Sequence, residues 1–407
     1  MTTVDELIEA KLCHEIHTSE RRSFRACRRR WDWLFNDAWY PKTTAKPLEF
    51  GVAYHEAMEV YYDPDHWDEP RSVRAALAII QFAEKNEQQR LEALDNPNST
   101  QYDDEINDDY AERLALGQGM LQYYFTEVAP KEDQGWRPRK VEIGFRVVIP
   151  NPETGEEVIW CECENCWNKY REYIAAHPES DIYWRGLPVV YAGRIDMLAE
   201  DLSHPGNYYI FDWKTAAMIP QNHDFLILDD QVASYAWALW MLGINARGFV
   251  YHEQRKGYPQ PPKQNATRRL GRLYSINRNQ DTDFESYLEC VRTNDKEAYE
   301  KGLYDEFLEY LKNDGIVYFS RVKIIKADSE LQQIGYNIGL EALDMVDPHL
   351  RIYPSAGRFG CTNCAFQIPC MEKNAGGDWE FTLQQNFEQR EHYYVRKEAS
   401  TESKSGE

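Results

Sequence analysis

Two short peptides contain the residues of this chain best suited to metal chemistry. The first is Gly-Arg-Ile-Asp at 193–196, and the second is Asp-Trp-Lys at 212–214. Both lie in apolar, β-branched or aromatic surroundings, which predicts two strands joined by a turn. In a hairpin, such strands can bring Asp196 and Asp212 side by side, with Lys214 facing the same side. Two carboxylates and an amine at one edge of a sheet can bind a hard divalent cation and activate a water.

This arrangement resembles the PD-(D/E)XK nuclease superfamily, whose signature is an Asp, a variable gap and then Asp/Glu-x-Lys. Asp196 would be the first acid, Asp212 the second and Lys214 the lysine. The resemblance implies an α/β fold, namely a restriction-endonuclease-like mixed sheet flanked by helices. It also implies that Mg²⁺ or Mn²⁺ is held by both aspartates and the backbone carbonyl of Trp213. The alternative is two surface carboxylates and a solvated lysine near a turn.

A buried helix is predicted at 229–242, because Asp opens the segment, apolar residues fill it and Gly243 stops it. Gln231 and Tyr235 are four residues apart and therefore share one face. The pair resembles the Q-x-x-x-Y element of the RecB-type branch of the superfamily. That resemblance implies a catalytic role in holding the DNA strand near the metals.

An upstream segment, 50–62, also has helical spacing, and His55 falls on its apolar stripe. The segment resembles the G-x-x-x-H helix of RecB-type nucleases, which implies that His55 lies at the metal site. An imidazole beside two carboxylates suits Mg²⁺ or, better, Mn²⁺. A histidine buried in the core is the alternative.

The chain has nine cysteines, an odd number, which argues for a reducing compartment and against a disulfide framework. Cys361, Cys364 and Cys370 form C-x2-C-x5-C, and Cys27 lies far upstream. This distribution resembles the iron–sulfur staple of RecB-family nucleases, found in AddB-type and CRISPR-adaptation nucleases. It implies a 4Fe–4S cluster that ties the two chain ends together. Zn²⁺ is the alternative ligand for four thiolates.

A second group, Cys161, Cys163 and Cys166, matches no pattern of that family. Three thiols so close in sequence can bind zinc, with His177 or Cys290 as a fourth ligand. Reduced structural cysteines are the alternative.

The formal net charge is −22, which argues against a general nucleic-acid binder. The charge is unevenly distributed, however. Residues 21–30 contain six arginines and no acid, and 255–272 contain six bases and no acid on a proline-rich, extended loop. Both segments are candidates for phosphate contacts. In the second segment the candidate DNA-binding residues are Arg255, Lys256, Lys263, Arg268, Arg269 and Arg272.

Four regions are expected along the chain: a mainly helical part at 1–140 with Cys27 and His55, a nuclease core at 141–253, a basic loop, helices and iron–sulfur region at 254–375, and a terminal helix with a disordered tail at 376–407. Glu142 lies on the first core strand and can face the site. No apolar run is long enough to span a membrane, and the start lacks a secretory signal. A soluble, cytoplasmic protein is therefore expected.

The combined motifs predict a metal-dependent deoxyribonuclease, with exonuclease action favoured, in recombination, repair or phage DNA processing. The chain has no Walker P-loop, so any helicase or recombination partner would be a separate protein. DNA is the expected substrate, and the oligomeric state is left open. The alternatives are a non-catalytic DNA-binding or assembly protein of the same fold and a zinc-stapled structural protein.

Overall fold

The computed structural model describes residues 3–42, 46–96, 101–220 and 222–390. The disordered tail expected at the C-terminus lies outside these residues from position 391 onward. No helix in the described part of the chain has the length and hydropathy of a membrane span.

The helices lie mostly before and after a central sheet. Those of the N-terminal region are α1 (Thr3–Glu9), α2 (Thr18–Ala26), α3 (Arg28–Trp31), α4 (Lys46–Tyr62), α5 (Arg71–Leu94), α6 (Asp103–Tyr123) and α7 (Ala129–Glu132). Those within and after the sheet are α8 (Glu164–Ala176), α9 (Asp230–Met241), α10 (Phe284–Asn294), α11 (Lys296–Glu300), α12 (Asp305–Asp314) and α13 (Asp328–Val346). The last three are α14 (Arg358–Thr362), α15 (Gln367–Ala375) and α16 (Trp379–Asn386).

Among the described residues, seven strands form one mixed sheet in which β1, β5, β6, β7 and β10 are successive neighbours, while β3 and β4 also pair with β5. Their bounds are β1 (His14–Ile16), β3 (Trp136–Val148), β4 (Ile159–Cys161), β5 (Leu187–Asp201), β6 (Tyr208–Ala216), β7 (Ala246–Arg255) and β10 (Phe319–Ile325). Two small ladders pair β2 (Trp39–Pro41) with β11 (Phe387–Gln389) and β8 (Gln264–Arg269) with β9 (Arg272–Tyr274). The predicted mixed α/β fold is confirmed.

The sheet has a buried core on each face. One core joins the sheet to α9 and α13 and contains Ile195, Trp237 and Leu331. The other joins the sheet to α4, α5 and α6 and contains Met58 and Trp213. Helices on both faces explain why the central strands are almost continuously apolar.

Several predicted elements differ from the structure. The N-terminal region also contains β1 and β2, whose three residues each are too few to show a periodic pattern. The segment 255–272 is not simply an extended loop, because its second half forms the β8–β9 hairpin.

A buried ion pair fastens the edge strand β10 to the helices that cover the sheet. Arg321 Nη1 lies 3.0 Å from Asp133 Oδ1, and both side chains are 5% exposed. The same guanidinium donates to Tyr124 Oη at 2.8 Å, and Tyr62 Oη donates to Asp133 at 2.9 Å. Since Tyr62 ends α4, this network anchors the helix that carries His55.

We expect Arg321→Leu to lower the free energy of unfolding by about 3–5 kcal/mol, because it leaves the Asp133 carboxylate buried without its cation. The matched control is Arg247→Leu, which removes a pair whose side chains are 42% and 65% exposed and should cost at most about 1 kcal/mol. Chemical denaturation followed by fluorescence measures both. Equal losses in the two variants would contradict the role given to the buried pair.

Candidate active site

The candidate site lies where β5 and β6 separate. Since β3 pairs with β5 from Val190 to Asp201, β1 and β6 must share the opposite edge of β5. β6 pairs with β5 only as far as Met197↔Phe211, and β1 pairs with it at 189–191. A fork therefore opens in the sheet beside 192–196, and a fork gives side chains access to space between two strands.

Next to the fork, β3 and β5 change the face of the sheet to which their apolar side chains point. Ile143 and Ile195, which are paired, belong to the core beside α9, whereas Val141 and Met197 belong to the core beside α4. Residues two apart on a regular strand share a face. The regular alternation of side chains must therefore be interrupted at positions 142 and 196, which lie between these pairs. Glu142 is the interrupting residue on β3, and its φ of 48° is in the left-handed region. Such local irregularities re-aim side chains next to functional sites.

Each carboxylate oxygen of Asp196 interacts with a different group at the fork. Its Oδ2 accepts a hydrogen bond of 2.8 Å from the backbone N–H of Trp213, and its Oδ1 lies 3.5 Å from His55 Nδ1. Burial works to raise the pKa of Asp196, but His55, Lys214 and the Trp213 amide outweigh it and hold that pKa below its usual value. Burial likewise opposes protonation of His55, yet the neighbouring Asp196 raises its pKa. The first acid is thus ionised and tied to the backbone of β6.

Asp212 has one oxygen engaged and one open. Lys214 Nζ donates to its Oδ1 at 2.7 Å. Its Oδ2 is buried and accepts no hydrogen bond from any residue that the structure describes. Burial and the nearby Asp196 raise the pKa of Asp212, although Lys214 acts against them. The pKa of Lys214 is raised, because Asp212 and Asp196 together outweigh its burial.

A buried carboxylate oxygen without a donor, together with a second carboxylate and an imidazole, is a donor set suited to a hard divalent cation, although the ligand atoms of Asp212, Asp196 and His55 do not all lie within 4.8 Å of one another. His55, Asp196 and Lys214 border a cavity of about 840 Å³, whereas Asp212 is not among its lining residues. Glu59 and Glu142 line it too, and the pKa of each is raised by burial and then by a neighbouring acid, Glu56 or Asp196 respectively. The cavity is lined by Gly51, Val52, His55, Glu56, Glu59, Val60, Gln81, Glu142, Arg194, Asp196, Lys214 and Thr215.

Glu59 and Arg194 also line the cavity, and neither was predicted from the sequence as a site residue. Glu59 is four residues after His55 and therefore shares its helix face, a spacing that could have identified it. Arg194 stands inside the Gly-Arg-Ile-Asp peptide, and its Nη1 donates to Glu142 Oε2 at 3.2 Å. Only the fold shows that this arginine lines the same cavity as Asp196.

Gln231 and Tyr235 lie on α9 and not among the residues that line the cavity. Gln231 Oε1 accepts from Arg22 Nη2 at 3.0 Å, and its amide approaches Tyr235 Oη at 3.5 Å. Tyr235 packs on Phe145, with ring centroids 5.3 Å apart. Phe145 in turn covers Gly193, where an added Cβ would meet the ring at 2.4 Å. Gly193 therefore allows the close packing between β3, β5 and the Tyr235 ring.

Part of the first arginine-rich segment is structural. The Arg21 side chain is fully buried, and it pairs with Asp230 at 3.0 Å and Glu341 at 2.7 Å. Arg25 pairs with Asp230 as well, at 2.9 Å. These contacts clamp α2 to α9 and α13, so Arg21 is not available to a DNA phosphate.

Only some of the basic side chains of segment 255–272 contact other residues of the protein. Arg268 Nη1 lies 2.6 Å from the buried Asp295. Arg272 donates to the carbonyl of Leu303 at 3.2 Å, and the Arg255 guanidinium lies over the Tyr318 ring at 5.3 Å. Lys256 Nζ lies 5.1 Å from the centroid of the Phe50 ring. Lys263 and Arg269 have exposed side chains.

The structure brings the two ends of the cysteine set together. The Ser355 amide approaches Cys27 Sγ at 3.4 Å, and Arg29 Nη1 approaches Cys370 Sγ at 3.4 Å. Burial raises the pKa of Cys364, and the neighbouring Cys27 and Cys361 add to the effect. The pairing of β2 with β11 joins the same two regions of the chain. Cys27 therefore lies near the C-terminal cysteines, although more than three hundred positions separate them in the sequence.

A family model described as the PD-(D/E)XK nuclease superfamily matches residues 18–371. That range includes every aspartate, lysine, histidine and cysteine of the two sites just described. A search of curated proteins returned no match.

Proposed function

We propose that this chain, which belongs to the PD-(D/E)XK nuclease superfamily, is a RecB-type deoxyribonuclease that degrades DNA from its ends and carries an iron–sulfur cluster. Recombination, repair or phage DNA processing is the proposed setting, with any helicase supplied by another chain. The observation that carries the proposal is the convergence of Asp196, Asp212, Lys214 and His55 at the fork. Nucleases of this superfamily generally depend on divalent metal ions.

His55, Asp196, Asp212 and the backbone carbonyl of Trp213 would hold Mg²⁺ or Mn²⁺. When bound, the ion supplies an acidified water and polarises the scissile phosphate. The open Oδ2 of Asp212 supports this assignment, because a buried acceptor without a donor is costly unless a cation uses it. The raised pKa of Glu142 supports its inclusion as a further acid of the site.

Lys214 would act as a fixed positive charge. Asp212 and Asp196 raise its pKa, which favours the protonated amine, so it would donate to the attacking water or offset charge on the phosphate. Arg194 is 73% exposed at the mouth of the cavity and can meet an incoming phosphate. Gln231 and Tyr235 would orient the strand from α9.

The cysteine site supports a cluster of several metal ions. The only group of three or more ligand side chains in the described ranges whose ligand atoms all lie within 4.8 Å of one another is Cys161, Cys163 and Cys166. The sulfurs of Cys27, Cys361, Cys364 and Cys370 are therefore more widely spread than a zinc tetrahedron, whose edges are about 3.8 Å for 2.3 Å bonds. Amide and guanidinium N–H groups approach the sulfurs of Cys27 and Cys370, a contact that supports thiolate ligands of a cluster as well as of zinc.

We expect Asp212→Asn to reduce metal-dependent DNA cleavage by at least about a hundredfold, because the metal stabilises charge by several kcal/mol. The assay uses end-labelled linear DNA and closed circular DNA with Mg²⁺ or Mn²⁺. Asp108→Asn, an exposed acid on α6, is the matched control and should retain activity. Undiminished cleavage by a highly purified Asp212→Asn sample would contradict the catalytic role of Asp212. Cleavage of the closed circular DNA by the wild type would change only the proposed mode, from exonuclease to endonuclease.

We expect anaerobically purified protein to be brown, with about four irons per chain. Cys361→Ser should lose the colour and the iron, because it removes one of the four thiolates. Cys290→Ser, a half-buried cysteine in the α10–α12 region, should keep both. Iron content by mass spectrometry and the visible spectrum report the result. A colourless wild type with zinc bound at this cysteine set would refute the cluster.

We expect the double variant Lys263→Gln/Arg269→Gln to weaken DNA binding for all sequences and to reduce the log–log salt slope by roughly one unit per lost phosphate contact. Arg268 is left intact because its removal would strand the buried Asp295 carboxylate. The control, Lys169→Gln/Arg171→Gln, makes the same charge change on exposed residues of α8. Binding curves that superimpose on the wild type would show that the β8–β9 hairpin does not touch DNA.

A further inference from the structure

A second, compact group of thiols lies outside the nuclease and iron–sulfur sites. The sulfur atoms of Cys161, Cys163 and Cys166 all lie within 4.8 Å of one another. Cys163 Sγ and Cys166 Sγ are 3.4 Å apart, and the backbone N–H of Cys163 approaches Cys161 Sγ at 3.5 Å. Neither the family match nor the proposed hydrolysis assigns these residues a role.

Two elements bring the three sulfurs together at a tight turn. Cys161 is the last residue of β4 and pairs with Leu187, the first residue of β5. Cys163 immediately precedes α8, and Cys166 lies in the first turn of that helix. Cys166 is buried, Cys161 is half-buried and Cys163 is exposed. The group therefore has a fixed inner side and one side open to solvent.

The spacing fits one tetrahedral ion. Thiolates bound to zinc at 2.3 Å are about 3.8 Å apart along each edge of the tetrahedron, and 3.4 Å between two unligated sulfurs is close to that value. An N–H directed at a ligand sulfur is a common supporting contact around a bound metal. Glu162 and Glu164 flank the thiols in sequence, which favours a cation over an anion.

We propose that Cys161, Cys163 and Cys166 bind one Zn²⁺ ion as thiolates, with a water in the fourth position on the exposed side. The fourth ligands expected from sequence are not part of the group. His177 Nδ1 bonds to the carbonyl of Tyr173 at 3.0 Å. Cys290 packs with the separate core of α10–α12. The proposal does not depend on the nuclease assignment.

The ion would act structurally on the strand that carries Asp196. It would fasten α8 to the end of β4 where β4 pairs with the start of β5. The Gly186 turn packs onto the same place, since an added Cβ there would lie 2.9 Å from Glu162 and 3.3 Å from the Cys161 carbonyl. α8 also packs Tyr170 and Tyr173 onto the main core. Holding this corner limits movement of the N-terminal half of β5.

The test measures zinc and iron in the full chain. Protein is prepared anaerobically with a reductant and supplied Zn²⁺, then freed of loose metal by gel filtration. We expect about one zinc per chain in the wild type and in Cys290→Ser, and loss of that zinc in Cys163→Ser and Cys161→Ser. Because Cys163 is exposed, its substitution leaves the core packing intact. Iron should be unchanged in Cys163→Ser.

Cobalt substitution provides an independent readout. Co²⁺ bound by three thiolates should show strong sulfur-to-metal absorption in the near ultraviolet, and Cys163→Ser should lose it. A chelator should lower the melting temperature of the wild type but not of Cys163→Ser, since only the folded state holds the ion.

Four outcomes would overturn the proposal. The first is a wild type without stoichiometric zinc, and the second is equal zinc in Cys163→Ser. The third is a disulfide between Cys163 and Cys166 in the anaerobic sample, detected by peptide mass spectrometry. Loss of iron rather than zinc in Cys163→Ser would also overturn it, by moving the iron–sulfur site to this corner.

Discussion

The hydrogen bond from the Trp213 amide to the Asp196 carboxylate is the interaction on which the candidate site depends. Where β5 and β6 stop pairing, a backbone N–H would otherwise lose its partner, and an unpaired buried amide is costly. Asp196 replaces the missing strand partner with a charged acceptor. The same contact ties Asp196 to the strand that carries Asp212, and it adds to the larger effect of His55 and to that of Lys214 in holding the pKa of Asp196 below its usual value. The separation of β5 and β6 therefore also positions Asp196 in the candidate site.

The surrounding ion pairs explain how an acidic protein holds so many buried charges. Arg321 and Arg21 are buried cations, each paired with a carboxylate on another element. Their cost of desolvation is offset only because those partners are fixed. At the fork the balance differs, since Asp212 keeps an open oxygen and Glu142 and Glu59 repel their acidic neighbours. This local excess of negative charge distinguishes a cation site from structural pairs elsewhere in the fold.

Much of the fold was predictable because the informative segments are long. The β5–β6 hairpin, α4 and α9 follow from apolar patterns bounded by turn residues, and the spacing of Asp212 and Lys214 follows from strand alternation. The face change at Glu142 was not predictable, since it depends on a positive φ in a residue that rarely adopts one. Nor could composition show that Arg21 is buried while Arg269 is exposed, because six adjacent or clustered bases look alike until tertiary partners are known.

The β2–β11 ladder has a consequence for how the molecule comes apart. Trp39–Pro41 pairs with Phe387–Gln389, so an N-terminal and a C-terminal segment of the described chain are held together. Fraying, which normally starts independently at each terminus, must then occur at both ends together. Hydrogen exchange in β2 and in β11 with the adjoining α16 should behave as a single cooperative unit. A protease that pulls on the C-terminal tail would meet the resistance of the N-terminal segment before it reached the sheet.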